Sequence, residues 1–151
     1  LMNAYVNIKN INKVEEIYST VQHDPTVDCN ITTYNTLMNA YAKKENINKV
    51  EEIYNTIQND PKVDFDITTY NTLMNAYVRN KRISDATLLL DKLILSKQKI
   101  DCFTFGPLLN YYQYRRKKEE FYDTWNLMVN KLAIRPNKFL LGLKNQVDNF
   151  Y

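Results

Sequence analysis

Glycine occurs only twice in this chain and proline four times. A fold made of many strands joined by tight turns draws heavily on both residues, so their scarcity argues against it. Histidine occurs once, as His23 beside Asp24-Pro25 at an expected helix end. With a single histidine there is no His–carboxylate metal motif, and the sequence holds neither a glycine-rich phosphate loop nor a nucleophile elbow. The two cysteines, Cys29 and Cys102, lie far apart without metal-ligand spacing and read as ordinary thiols. No apolar run reaches membrane length, and no signal peptide or initiator methionine is present. The expectation is a chain that is not an enzyme and has no metal, cofactor, small-molecule substrate or membrane partner. The acidic pairs Glu15-Glu16 and Glu51-Glu52 recur once per repeat and read as a solvated helical face rather than a catalytic pair.

What the chain has in quantity is asparagine, lysine, isoleucine and tyrosine. Its net charge of +3 and pI near 8.7 are mildly basic. That balance permits nucleic-acid binding without demanding it, because the position of the charges decides.

Above all, the chain repeats. Leu1-Met2-Asn3-Ala4-Tyr5 returns as Leu37-Met38-Asn39-Ala40-Tyr41 and as Leu73-Met74-Asn75-Ala76-Tyr77, a shift of 36 residues each time. Between residues 1–36 and 37–72, 26 of 36 positions are identical. A period of this length marks stacked helix pairs, in which each unit needs its neighbours to bury its apolar face. The reading is an all-α solenoid of helix-turn-helix repeats, a right-handed superhelix with the first (A) helices lining a groove. It forms a single array over 1–151, with a partial repeat 1–30, repeats 31–66, 67–101 and 102–137, and a partial repeat 138–151. Because the sequence begins and ends inside repeats, it reads as a piece of a longer protein.

The apolar stripes place the helices. Tyr34, Leu37, Met38 and Tyr41 share one face, as do Val50, Ile53, Tyr54 and Ile57. A helices are expected near 1–9, 32–43, 68–80, 103–115 and 138–150, and B helices near 12–23, 48–59, 83–96 and 118–131. Asp60-Pro61 ends one B helix, and Asp66 stands where a helix cap is needed. The fourth unit is aromatic, and its Phe121 and Trp125 are expected in the core.

The string Ile31-Thr32-Thr33-Tyr34-Asn35-Thr36-Leu37-Met38 and its copy from Ile67 to Met74 resemble the opening of pentatricopeptide repeats. Val50 to Ile57 resembles that family's B helix, and Ile134-Arg135-Pro136-Asn137 its closing segment. The tetratricopeptide pattern is absent. The resemblance covers essentially the whole chain and implies sequence-specific binding of single-stranded RNA, one base per repeat, in a mitochondrion or alternatively a plastid.

The resemblance also assigns roles. In this family the fifth residue of a repeat reads the base and the last residue before the next repeat assists it. That gives Asn35 with Asp66, and Asn71 with Asp101. An Asn amide both donates and accepts, so it can match a uracil edge, and the expectation is two successive pyrimidines with uridine favoured. Gly106 with Asn137 departs from the pattern, while the first unit keeps only Asn30 and the last only Gly142. Base stacking falls to the second residue of each repeat: Thr32, Thr68, Phe103 and, in the last unit, Phe139. Phe103 and Phe139 have inter-repeat packing as their alternative. Lys43 and Arg79, 36 residues apart, are expected to contact phosphate, with stabilisation of a helix C-terminus as the other reading. The run Arg115-Arg116-Lys117-Lys118 is either a solvated basic turn or a further phosphate contact. The competing function is a protein–protein scaffold, including a structural component of an organellar ribosome. A catalytic domain outside this sequence is a third.

Overall fold

The computed structural model describes residues 15, 16, 18, 19, 30–60, 63 and 65–150. Among them there are helices and no strands. Glu15, Glu16, Tyr18 and Ser19 are helical. Then follow α1 (Ile31–Lys43), α2 (Ile47–Asn59), α3 (Ile67–Arg79), α4 (Ile83–Leu95), α5 (Cys102–Tyr114), α6 (Lys118–Asn126) and α7 (Lys138–Asn149). Each expected helix within this span is present to within one residue at either end, except the B helix of 118–131. There α6 stops at Asn126 and passes into a π-helical turn, Leu127–Lys131. The helix expected at 1–9 lies outside the described residues, as does most of 12–23.

The chain divides into two compact units, Leu1–Asn80 and Lys81–Tyr151. In the first, α1 packs on α2 and on α3, and α2 packs on α3. The expected stripes form the core: Leu37, Met38, Val50, Ile53, Ile57, Leu73 and Met74 are all within about a hundredth of complete burial. Burial of side chains this size stabilises by roughly 1.5–3 kcal/mol each. Tyr54, Phe65 and Tyr70 form an aromatic row, with centroids 5.2 Å and 5.4 Å apart. In the second unit α5 packs on α6 and α7. Phe105, Leu108, Leu109, Phe121 and Met128 fill its core, and Phe121 stacks on Trp125 at 6.0 Å.

The helix starts follow from short polar side chains. Asn30, Asn46, Asp66, Asp101 and Asn137 each accept a hydrogen bond from a free backbone N–H of the helix they precede. The helix ends are less expected in a glycine-poor chain. Glu45, Lys97 and Arg116 adopt φ of 56°, 53° and 54°. Each closes a Schellman motif, its own N–H bonding the third carbonyl back and the next N–H the fifth: Glu45 to Ala42 and Asn46 to Tyr41, Lys97 to Ile94 and Gln98 to Leu93, Arg116 to Gln113 and Lys117 to Tyr112.

Candidate nucleic-acid interface

In the first unit, the structure brings Asn35 and Asp66 together. Asn35 lies in the first turns of α1 and Asp66 caps the next A helix, so the packing of α1 on α3 sets one against the other. Asn35 Nδ2 donates to Asp66 Oδ1 at 3.0 Å. The same carboxylate oxygen accepts from the Thr69 backbone N–H at 2.9 Å. Asp66 thus does two jobs at once, capping a helix and holding a side chain of the preceding repeat.

A third residue completes the arrangement. Thr69 Oγ1 lies 2.7 Å from Asn35 Oδ1 and donates to it, and it lies 3.0 Å from Asp66 Oδ1. Thr69 is fully buried, and Asn35 retains 8 % of its surface. Asn35 is therefore neither a helix cap nor a solvated surface residue. Its amide has two N–H groups and two oxygen lone pairs. Asp66 takes one N–H and Thr69 fills one lone pair, which leaves one donor and one acceptor for something else. Sequence reasoning missed Thr69. The available signal was a threonine in third place of each repeat that follows an asparagine-bearing one.

Asn71 occupies the same register in α3 and is half-buried. In the second unit Asp101 reproduces the local geometry of Asp66. It accepts from the backbone N–H groups of Phe103 at 2.9 Å and Thr104 at 3.2 Å, and Thr104 is fully buried. One repeat further on, the residue types of the triplet change. Asn137 still caps α7 through Leu140 N–H at 2.9 Å, but Gly106 and Leu140 replace the asparagine and the threonine. A Cβ built on Gly106 would lie 3.9 Å from Leu140 Cδ2.

The expected stacking residues are on the surface. Thr32 and Thr68 are exposed in the first unit. In the second, Phe103 is 62 % and Phe139 57 % exposed. Lys43 and Arg79 are exposed in the last turns of α1 and α3, where a cation also suits the helix terminus. The basic run is partly committed to local contacts. Lys117 pairs with Glu120 at 2.7 Å, and the Arg116 guanidinium lies 5.6 Å from the Phe150 ring centroid.

One acidic position is not simply solvated. Glu51 accepts from Tyr77 Oη at 3.1 Å, as Glu15 does from Tyr41 Oη at 3.5 Å. Burial, then the Glu15 charge, pushes the Tyr41 phenol up to about 12. His23 and Cys29 lie outside the described residues. Among the described residues no group of histidine, cysteine and carboxylate side chains has a metal-binding arrangement, and no helix is long and apolar enough to cross a membrane.

No curated protein matches the sequence. Its fold is similar to that of the pentatricopeptide repeat protein PPR10 from maize, at 19 % identity and a TM-score of 0.74 over 94 % of this chain. It is similar also to PPR10 in complex with an 18-nt psaJ RNA element, at 20 % identity and a TM-score of 0.81 over 92 % of this chain. The chain spans about 20 % of the length of those structures. A sequence profile of the pentatricopeptide repeat domain matches residues 1–44 and 24–80, and a second profile, of the PPR repeat, matches residues 68–97. The profile matches cover more than half of the sequence, the helical pairs follow the same repeat, and the chain belongs to the pentatricopeptide repeat family.

Proposed function

We propose that this chain is part of a protein that binds single-stranded RNA, with Asn35 and Asn71 each reading one base and uridine preferred at both. The observation that carries the reading is the Asn35 amide, nearly buried and held by Asp66 yet left with one free donor and one free acceptor. Either group suits one atom of a uracil edge, the N–H its carbonyl and the lone pair its N–H. A base must come to this amide, since the side chain is too enclosed to reach out. By sequence register and the pairing pattern of the family, Asp101 is the residue assigned to assist Asn71. Thr32, Thr68 and Phe103 supply the faces on which bases rest, and Lys43 and Arg79 the phosphate contacts. The similarity in fold to a protein crystallised with an RNA element supports the same reading. The family resemblance supports a mitochondrial or plastid setting, which imaging of the tagged full-length protein tests.

The deciding experiment is selection from a random single-stranded RNA pool, comparing the wild-type chain with Asn71→Thr. By the pairing pattern of the family, Asn71→Thr should move preference at one RNA position from uridine towards guanine. Discrimination there should change by about 1–3 kcal/mol, the scale of a good polar contact to a base edge. If Asn71→Thr alters no preference while RNA still binds, Asn71 is not a reader.

A second reading, a protein–protein scaffold, is favoured by one observation. Leu88 and Leu95 lie seven residues apart on α4 and are 67 % and 83 % exposed. Leu88→Lys with Leu95→Lys leaves RNA binding intact on the first reading and abolishes partner capture on the second.

A further inference from the structure

We propose that Thr69 is a positioning residue for base readout: its buried hydroxyl fixes the Asn35 amide, so that the third residue of a repeat controls the specificity of the repeat before it. The inference rests on the RNA-binding reading and adds a residue to it. Three donors crowd Asp66 Oδ1: Asn35 Nδ2 at 3.0 Å, the Thr69 backbone N–H at 2.9 Å and Thr69 Oγ1 at 3.0 Å. A threonine hydroxyl carries one proton. Two oxygens 2.7 Å apart, Thr69 Oγ1 and Asn35 Oδ1, need a proton between them, and only the hydroxyl has one to give. That proton therefore goes to Asn35, and Asp66 Oδ1 takes the two N–H groups.

The orientation of the amide follows. Flipped, it would face its oxygen towards the carboxylate oxygen with no proton between, while an ionised carboxylate can only accept. Asp66 holds the nitrogen side and Thr69 the oxygen side. Asp66 Oδ1 and Thr69 Oγ1 are themselves 3.0 Å apart, so together they fill the edge that the amide N–H and oxygen share. The remaining N–H and the remaining lone pair point to opposite sides in a fixed order, and an unpaired base on either side can match or fail to match the group it meets. An amide held on one side only would still be polar, but it would rotate and accept several edges.

The chain itself varies the arrangement. Asn35 is followed one repeat later by Thr69, Asn71 by Thr104 and Gly106 by Leu140. The two threonines are fully buried, although a leucine of similar reach fits the equivalent place in the second unit. A buried hydroxyl is costly unless it is bonded, and here it accompanies a reader and is replaced where the reader is missing.

The test uses the full chain and a random single-stranded RNA pool at low salt, followed by uridine oligonucleotides changed at one position. Thr69→Val keeps the branched shape and removes the hydroxyl; Thr69→Ser keeps the hydroxyl. The wild-type chain should discriminate at the Asn35 position by roughly 5- to 150-fold, the equivalent of one good polar base contact. Thr69→Val should bring that to near parity without changing preference elsewhere or the salt dependence of binding, and Thr69→Ser should restore it. Full discrimination retained by a folded Thr69→Val overturns the inference and leaves the RNA-binding reading standing. A wild-type chain with no base preference at any position overturns both. Should Thr69→Val fail to fold, NMR of the wild-type chain decides. A slowly exchanging Thr69 hydroxyl proton close to the Asn35 amide supports the inference, and a hydroxyl in rapid exchange with water refutes it.

Discussion

Gly106 and Gly142 sit at the same place in consecutive A helices, and the two glycines have different reasons to be there. A Cβ on Gly142 would meet nothing within 4 Å. Helix interiors favour Ala over Gly by about 0.5–1 kcal/mol, so Gly142→Ala should raise the melting temperature. At Gly106 the Cβ would make only an ordinary contact with Leu140, but Pro107 follows inside the helix. The proline ring crowds the Cβ of the residue before it in helical conformation. Gly106→Ala should therefore gain less than Gly142→Ala, or lose stability, when the two are compared by thermal melting. The helix-ending residues reverse the argument. Glu45 holds a left-handed φ of 56° that L-residues enter at a cost of about 1–2 kcal/mol. Glu45→Gly removes that cost but loosens the unfolded chain, for a net gain of up to about 1 kcal/mol. At this scale the sequence was partly legible. Asp66 could be recognised as a cap from its place before an apolar stripe. The left-handed turns were not visible, because the residue that usually marks them is absent from them. Nor was the Asn35–Asp66–Thr69 contact visible as geometry: Asp66 and Thr69 lie 31 and 34 residues beyond Asn35, so only the helix packing joins them.

Between elements, one hydrogen bond recurs with its polarity exchanged. Tyr41 reaches Glu15 and Tyr77 reaches Glu51, from an A helix back to the B helix before it. At the last boundary the tyrosine is on the B helix: Tyr122 Oη donates to Asp148 of α7, which also pairs with Lys144 at 2.7 Å. The separation is 26 residues in all three pairs. Donor and acceptor are interchangeable because only their meeting point is fixed by the repeat. Tyr77→Phe should cost about 0.5–1.5 kcal/mol, the net worth of one such bond. Glu51→Tyr with Tyr77→Asp should be more stable than the sum of the two single changes, since the pair is restored in reverse; a double-mutant cycle by denaturant unfolding measures this coupling. Burial of the Tyr41 phenol, with the Glu15 charge and then this bond adding to it, sets an alkaline limit. The Tyr41 phenol loses its proton near 12 when folded and near 10 when unfolded. Its contribution is fully present below about 10 and is lost as pH rises towards 12, because the folded state holds the proton more tightly. Tyr41→Phe should flatten that part of a stability–pH curve. The helices themselves were readable from the sequence to within a residue, because a period of 36 reinforces each stripe. The π-turn at Leu127–Lys131 was not, since its apolar residues keep a spacing that an α-helix also satisfies.

For the molecule as a whole, the period declared the fold and left the binding strength to arithmetic. On the proposed reading, two bases at about 1–3 kcal/mol each fall short of the roughly 8 kcal/mol of micromolar affinity. A chain of this length should therefore bind RNA weakly, with phosphate contacts supplying much of what it has. Lys43 and Arg79 recur in frame at the ends of their A helices, and both are exposed. Neutralising one phosphate of a single strand adds about 0.7 to the slope of log affinity against log salt. Lys43→Ala and Arg79→Ala should each lower that slope by about this amount or less and weaken binding to every sequence alike. Base preference should stay where it was, because a phosphate carries no sequence. Titrations of uridine-rich and mixed-sequence RNA at several salt concentrations measure both effects. An unchanged slope would mean that these cations face away from RNA and serve only their helix ends. A changed preference would mean that they touch bases, and that the division of labour between reading and anchoring is drawn in the wrong place.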